Sequence, residues 1–580
     1  MTKKPLMCCI ERPLDMCSDL KQLKDPLYGY INIPVKLARD VIDSQVFQRL
    51  RRISQTSYAP LYPSATHTRF VHSLGVYYLG CYVANIIDEF ALDGARVRKD
   101  KKKETQELIR SLEIFELACL LHDVGHAPFS HTGEYFFLKD RKYEELHGKL
   151  CESVGGKKRL QEELDEIDNA GAQAKPHEIM SCIVALENFP NLIKKSDERE
   201  FFARAICGYK YKATSLTLVQ SFRNCLIELL NSTFIDVDKL DYLIRDAYLL
   251  GFQTVSIDYK RLLGSVRLKQ DSRGHFSIAY DKNAVSVFEN VVYAHDSERK
   301  WIQNHPVVRY EMDLLQRAIA DVADQLGKKN FNVFSIATLT GKGCKLSDNF
   351  RLTYLCDADM VFLMKNTSSG VVERYFDRTK WYKPLWKSEV EYKALFSSES
   401  WEDRLLGRFN DEMKMLLKYL NPISGSCELD KHTLDDLKAE IKKNEANGGE
   451  DAKERIQTLG VHRDLLSCLF KWAKKSGLPT KFLILTNSPF ESGFSKTDLG
   501  KTRIELPVSN ETLKLESLSD IIKVPKKDAE TKAESTTFYL FCDCNSLLAR
   551  RPKLKKSTLA KELVEELKQF FRKNVERVPA

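Results

Sequence analysis

Several features are missing from this 580-residue chain, and each absence narrows its class. Long hydrophobic runs are lacking: the most nearly continuous, Ile114–Leu121 (IFELACLL), is too short for a bilayer and contains a Glu. The opening MTKKPLMCCIERP has no continuous apolar stretch, so a secretory signal is not expected. There is no βαβ alternation and no internal repeat. Charge of one sign is not strongly in excess. Lys+Arg 90 against Asp+Glu 81 leaves 90 − 81 = +9, a mild bias that suits an anionic ligand, though nucleic acid or nothing in particular would fit as well. Cysteine is not scarce, but its 15 residues, an odd number spread from Cys8 to Cys544, fit a reducing compartment better than a disulfide framework. Hydrophobic content of 43% and charged content of 29% exclude global disorder. The expected location is the cytoplasm (or the nucleus of a eukaryote), neither secreted nor in a membrane.

Periodicity predicts helices over Leu37–Arg52, Arg69–Phe90, Leu108–Asp123, Glu178–Leu186, Ser215–Leu230, Asp236–Leu249 and Glu311–Leu326. Arg96–Lys103 reads as a solvated loop, and Gly125 and Pro128 should end the helix before them. After about residue 330 short β-like runs appear, at Thr353–Tyr354, Lys481–Thr486 and Thr536–Phe541. Glu428–Gln457 reads as an exposed helix and loop. Leu559, Leu563, Leu567 and Phe570 mark an amphipathic helix in the basic tail, docked on its own lobe. The expected fold is mainly α, with an all-helical core over 1–330 and a smaller mixed α/β lobe over 331–580 that serves regulation and oligomerisation.

Seven of the twelve histidines precede residue 178. The pair His122-Asp123 ends an apolar helix, where ionisable groups are costly unless a metal or charge partner compensates. Imidazole with carboxylate suits a divalent transition metal, and Mg²⁺ or Mn²⁺ gains as oxygen ligands increase. His72 can supply a second imidazole. Further on, Asp238, Asp241, Tyr242, Arg245 and Asp246 form one polar stripe at helical spacing, which reads either as a site face or as a solvent face of weak Asp–Arg pairs. His67 and His147 read as structural or exposed. Cys542-x-Cys544 lacks a second pair for zinc.

The order His72 … His122-Asp123 … Asp238 resembles the signature of HD-domain metal-dependent phosphohydrolases. DPLYGYINIP (Asp25–Pro34), FQRLRRISQ (Phe47–Gln55), HTRFVHSLGV (His67–Val76), LLHDVGHAPFSH (Leu120–His131) and IDVDKLDYLIRD (Ile235–Asp246) resemble the dNTP triphosphohydrolases, most closely the SAM- and HD-domain type without its SAM domain. The likeness is strong over residues 25–255 and fades towards 370. It implies an HD-domain helical core with one divalent ion (Mn, Mg, Fe or Zn) on His72, His122, Asp123 and Asp238, and further Mg with the nucleotide. It places Gln55, Arg69, Lys239, Tyr242 and Asp246 against the substrate's sugar and phosphates. His126, His131 and His177 become the remaining active-site histidines, with Glu134 and Glu178 available to hold tautomers and His131 as general acid.

The implied reaction releases a deoxynucleoside and tripolyphosphate. Asp43, Gln48 and Arg51 match residues that read an activating guanine nucleotide between subunits, which implies an allosteric dimer or tetramer; their spacing alone describes the polar side of a helix. The family also implies antiviral or anti-phage dNTP depletion. Two positions depart from the pattern. His295 and Gln303 stand where the family carries an Arg and a Tyr, and Thr56 replaces a Leu of the wall that excludes a ribose 2′-hydroxyl. The alternatives are an HD phosphodiesterase or phosphatase acting on a cyclic, oligomeric or modified nucleotide, and a non-catalytic nucleotide sensor or nucleic-acid binder using the basic segments near Lys101 and Lys555.

Overall fold

The structure, a computed structural model, describes residues 19–574 except 89–101, 138–141, 157–161, 165, 167–173, 213–215, 234, 253–255, 329–330, 398–400, 421–425, 448–449, 488–499, 507–510, 520–521 and 523–536. Most of the expected Arg96–Lys103 loop, and residues 448–449 of the expected Glu428–Gln457 helix and loop, lie outside these residues. Two compact units emerge, one from Met1–Arg299, Ala318–Ser368 and Ser492–Lys526, the other from Lys300–Arg317, Ser369–Glu491 and Lys527–Ala580. The expected boundary near residue 330 therefore falls inside a segment of the first unit, and the division runs through the helix Pro306–Gly327.

The first unit is built on the helix Arg69–Ile87. Its residues are apolar around nearly the whole circumference, and it is buried accordingly. It has the length and hydropathy to cross a membrane, but 78% of that window is buried inside the fold, as in a core helix. Lys102–Leu121 and Val237–Leu250 pack against it, and Pro176–Asn188, Ser196–Cys207 and Leu218–Leu230 pack in turn against Lys102–Leu121. The last is well terminated: Asp236 accepts from Lys239 N at its start, and Gly251 takes the left-handed conformation (φ 66°) at its end.

The core before residue 330 is not all-helical. Leu20–Asp25 and Gly29–Pro34 form an antiparallel hairpin, and Val266–Gln270 pairs with Phe276–Asp281. Arg503–Leu506 joins that second pair in parallel and carries Glu511–Lys514 on its outer side. The expected helix Leu37–Arg52 is broken into short turns, because Ser44 Oγ accepts from Phe47 N and caps a new start at Gln45. Thr353–Tyr354 is no strand: the pairing ends at Leu352, and Tyr354 has φ 53°.

The second unit has an antiparallel sheet ordered Lys383–Pro384, Thr537–Cys542, Phe482–Asn487, Ser426–Leu429. Its core gathers Trp386, Phe409, Leu469, Phe482, Phe538 and Leu563. The tail helix Lys556–Asn574 buries Leu559, Leu563, Leu567 and Phe571 in that core. Also buried is Glu311, whose Oε2 has no hydrogen-bond partner. Burial outweighs the Tyr375 hydrogen bond and the Arg378 charge and pushes this carboxyl up to about 7.

A carboxyl raised in the fold keeps its proton after the unfolded chain has lost it. Its stability contribution is therefore complete below about pH 4.5 and lost as pH rises through about 7, on the order of 3 kcal/mol in all. All five tryptophans (Trp301, Trp381, Trp386, Trp401, Trp472) belong to the second unit, so tryptophan fluorescence reports on it alone. Glu311→Gln should raise that unit's melting midpoint at pH 8 and flatten its fall between pH 5 and 8; parallel profiles for variant and wild type would exclude a protonated Glu311.

Candidate active site

Helix Arg69–Ile87 carries His72, the end of Lys102–Leu121 delivers His122 and Asp123, and the first turn of Val237–Leu250 delivers Asp238. The four side chains converge. His72 Nε2 and His122 Nε2 are 3.2 Å apart. Asp238 Oδ1 lies 3.0 Å from the first and 3.6 Å from the second. Asp123 Oδ2 is 3.6 Å from His72, and its Oδ1 is 3.5 Å from His122.

The outer nitrogens of both rings are committed. His72 Nδ1 donates to Asp241 Oδ2 at 2.8 Å and His122 Nδ1 to the Cys119 carbonyl at 2.9 Å. With Nδ1 so committed, each ring directs Nε2 inward next to the carboxylates, where it holds a proton or, once that proton leaves, presents a lone pair to a cation. Donors bound to one ion at roughly 2.0–2.2 Å sit roughly 3–3.5 Å from one another, so the spacing fits a single divalent cation.

The electrostatics point the same way. Burial alone would lower His72, yet hydrogen bonds to Asp238 and Asp241 and the surrounding carboxylates push it up to about 10. His122 is raised against its burial by Asp123 and Asp238. Asp123 and Asp238 are held below the carboxylate range despite burial, the former by Arg69 and both rings, the latter by hydrogen bonds from the rings. The pocket calls for positive charge.

A second layer orients the first. Arg245 grips Asp241 at 2.9 and 3.0 Å and reaches Asp25 at 3.0 Å, while Tyr28 donates to Asp241 Oδ1 at 2.7 Å. Gly75 makes room for this: a Cβ there would stand 1.8 Å from Asp241 Oδ1. The stripe on Val237–Leu250 thus faces inward at Asp241, Arg245 and Asp246, all buried. Asp25 and Tyr28 were not among the expected site residues, and Asp241 and Arg245 were expected only as members of the polar stripe, although all four lie in the matched motifs.

Beside this cluster stands another. His126, His131 and His177 direct their Nδ1 atoms at one oxygen, Glu134 Oε1, from 3.2, 2.9 and 3.1 Å. The His126 and His177 rings stack at 4.3 Å, and both are buried. The His131 side chain is 56% exposed, so it is the ring of the three that opens outward. Burial, with nearby Arg69 and the other rings, holds His126 well below its ordinary value. Glu134 raises His177 against burial. Glu134 itself is held well below the usual range by His177 and His131. The two clusters adjoin: His126 Nε2 is 3.8 Å from Asp123 Oδ1. Among the described residues, two groups have all their donors mutually close enough to hold a metal: His72, His122 and Asp123, which Asp238 approaches through the two rings, and His126, His131, Glu134 and His177.

Other expected residues have different duties. Arg69 spends its guanidinium on Asp123 Oδ2 (2.8 Å) and Ser130 Oγ (2.9 Å). Lys239 Nζ is paired with Asp236 at 2.5 Å. Asp246 is bound by His67 at 2.6 Å, which gives that histidine a partner inside the unit. Glu178 does not hold the His177 tautomer; its carboxylate accepts from Lys175 N and Asn231 Nδ2 and caps its helix. Tyr242 is half-buried and its phenol is raised well above 10 by burial. Gln55 is buried with Oε1 unpartnered.

Asp43 pairs with Lys21 (2.9 Å), Arg51 donates to Gln48 (2.9 Å), and Gln48 donates to the Ile42 carbonyl. His295 sits on Val285–Glu298, while Gln303 belongs to the second unit. A buried Arg49, not anticipated from sequence, donates to the carbonyls of Leu355, Val124 and His126. It ties down the loop after the HD pair. In that loop Phe129 and Ser130 both have positive φ (57° and 53°), a conformation costing roughly 1–2 kcal/mol per non-glycine residue.

Residues 69–188 match the HD domain family. An uncharacterized protein of Methanocaldococcus jannaschii, MJ1154, is 25% identical over 367 residues, 63% of this chain and 59% of that one. The deoxynucleoside triphosphate triphosphohydrolase SAMHD1 of Gallus gallus is 29% identical over 294 residues, 49% of this chain and 42% of that one. The chain thus spans about half the length of these relatives. A solved hypothetical protein from Aquifex aeolicus has TM-score 0.45 and 18% identity, covering 93% of this chain and 99% of that one.

Because Asp241 fixes the His72 ring, Asp241→Asn should weaken Mn²⁺ binding about 10–100-fold, the usual effect of losing such a partner. Calorimetric titration of chelator-stripped protein measures this, and unchanged affinity would remove Asp241 from the account.

Proposed function

The chain carries an HD domain, and from that premise we propose that it is a metal-dependent phosphohydrolase that cleaves deoxynucleoside triphosphates to deoxynucleoside and tripolyphosphate. The observation that carries this reading is the adjacency of the two clusters, a four-donor cation pocket beside an outward-opening His131 bonded to Glu134. When bound, the ion would supply Lewis acidity at a phosphoryl oxygen and lower the pKa of a water. The chain's own groups do the rest. Cleavage between the α-phosphorus and the sugar's 5′-oxygen consumes one water, and the departing oxygen needs a proton. Protonated His131 can deliver one from Nε2 while Nδ1 stays bonded to the Glu134 carboxylate. That carboxylate, held ionised, stabilises the cationic ring. Arg69 neutralises Asp123 and keeps the pocket from accumulating negative charge that would repel phosphates.

The Gallus gallus relative, named for deoxynucleoside triphosphate triphosphohydrolysis, agrees with this substrate class. Gln55 Oε1, buried and unpartnered, suits a sugar hydroxyl donor. Asp43, Gln48 and Arg51 are proposed to read an activating guanine nucleotide in a dimer or tetramer, exchanging their present internal bonds for it. Eleven cysteines from Cys81 to Cys544 are free thiols, in keeping with a cytoplasmic or nuclear setting, where this activity would lower dNTP pools and could serve antiviral or anti-phage defence. A second reading has one observation behind it. Thr56 Oγ1 is also buried without a partner, as a hydrolase accepting a ribose-bearing nucleotide would use it.

Incubating the purified protein with Mn²⁺ or Mg²⁺ and each NTP and dNTP, singly and mixed, tests both readings. Tripolyphosphate with deoxynucleoside is expected; phosphate or pyrophosphate as the product would overturn the proposed bond cleavage, and preferential turnover of NTPs would favour the second reading. His131→Ala should lower kcat about 10²–10⁴-fold with bound metal retained. Undiminished turnover would take the general-acid role from His131.

A further inference from the structure

Two residues before His131, the chain passes through consecutive left-handed residues that are not glycine, Phe129 and Ser130. Such a turn persists only where its surroundings hold it. Its central restraint comes from far along the sequence. Asp357 Oδ1 accepts from Phe129 N at 2.7 Å, and Asp357 Oδ2 accepts from Ser54 N at 2.8 Å. Ser54 immediately precedes Gln55, so one half-buried carboxylate ties the segment carrying Gln55 to the segment carrying His131.

The same seam is closed by Ser130 Oγ, which donates to the Ser54 carbonyl at 2.5 Å and accepts from Arg69 Nε at 2.9 Å. On the far side, Arg49 links the Leu355 carbonyl to those of Val124 and His126. There is little slack: a Cβ on Gly133 would lie 2.0 Å from the Pro128 carbonyl oxygen. Asp357 touches neither the cation pocket nor the three-histidine cluster.

We infer that Asp357 is a positioning residue for His131, holding the Phe129–Ser130 turn in its left-handed form so that the His131 ring stays on Glu134 and faces the reacting phosphate ester. The inference rests on the phosphohydrolase reading. It makes the segment around Leu355–Asp357 part of the active-site architecture, although no chemistry-bearing motif marks it in the sequence.

The mechanism predicts a specific rescue. Glycine adopts positive φ without steric cost, so a turn that no longer needs forcing no longer needs Asp357. Asp357→Ala should lower kcat 10–100-fold, with KM within about twofold and metal content unchanged. Asp357→Asn, which keeps the shape but sets an amide NH₂ against one of the two backbone N–H donors, should show a smaller loss of the same kind. Adding Phe129→Gly to Asp357→Ala should restore kcat to within about threefold of the Phe129→Gly single variant. Wild-type kcat in Asp357→Ala, loss of bound metal in both Asp357 variants, or absence of rescue would overturn the inference.

A readout independent of turnover separates this from failure of the proposed function. In ¹⁵N-histidine-labelled protein, the His131 ring signals should shift in Asp357→Ala and return in the double variant. If wild type hydrolyses no nucleotide yet the signals shift and return, the phosphohydrolase reading falls and the positioning stands. If turnover is present and the signals do not respond, the positioning falls and the function stands.

Discussion

Two imidazole nitrogens held 3.2 Å apart, both facing carboxylates, cannot rest together in a helical core without a positive charge among them, carried by protons or by a cation. That constraint organises the first unit. It explains why Nδ1 of each ring is spent on an acceptor, why Asp241 is itself braced by Arg245 and Tyr28, and why Arg69 turns towards Asp123. Each brace costs conformational freedom.

The rest of the unit supplies position. Glycines sit where side chains must pass closely: Gly75 under Asp241, and Gly125, where a Cβ would stand 2.4 Å from the Met180 backbone. The hairpin Leu20–Pro34 sends Asp25 and Tyr28 back to the Asp241–Arg245 pair, so a strand turn and a helix stripe meet at one buried network. The proton-handling group sits one layer away on the loop after the HD pair. There three rings compete for Glu134, and the exposed one is free to meet a ligand.

Much of this could be read in the sequence, and the reasons are physical. Apolar periodicity marked the long helices because their burial is one-sided or complete, and the HD pair stood out because charge at the end of an apolar helix needs a partner. The stripe from Asp238 to Asp246 was visible, but spacing does not say which way a stripe faces; it faces inward. Glu178 looked like a partner for His177 because it is adjacent in sequence, whereas helix capping claimed it. Asp43–Ser44 broke an apparently continuous helix because a serine cap competes locally with helix continuation. Contacts between distant segments were illegible. Arg49 reaches Leu355, and Arg503–Leu506 adds itself in parallel to Phe276–Asp281; neither has a local signal, and both move the real division of the chain away from residue 330.

The most direct test of the account is anomalous scattering from crystals of Mn²⁺-loaded protein, recorded on both sides of the manganese absorption edge. The account predicts one strong anomalous peak among His72 Nε2, His122 Nε2, Asp123 and Asp238, with all four as ligands. A peak seated instead in the Glu134 cluster, or none among these four side chains under metal-replete conditions, would contradict it.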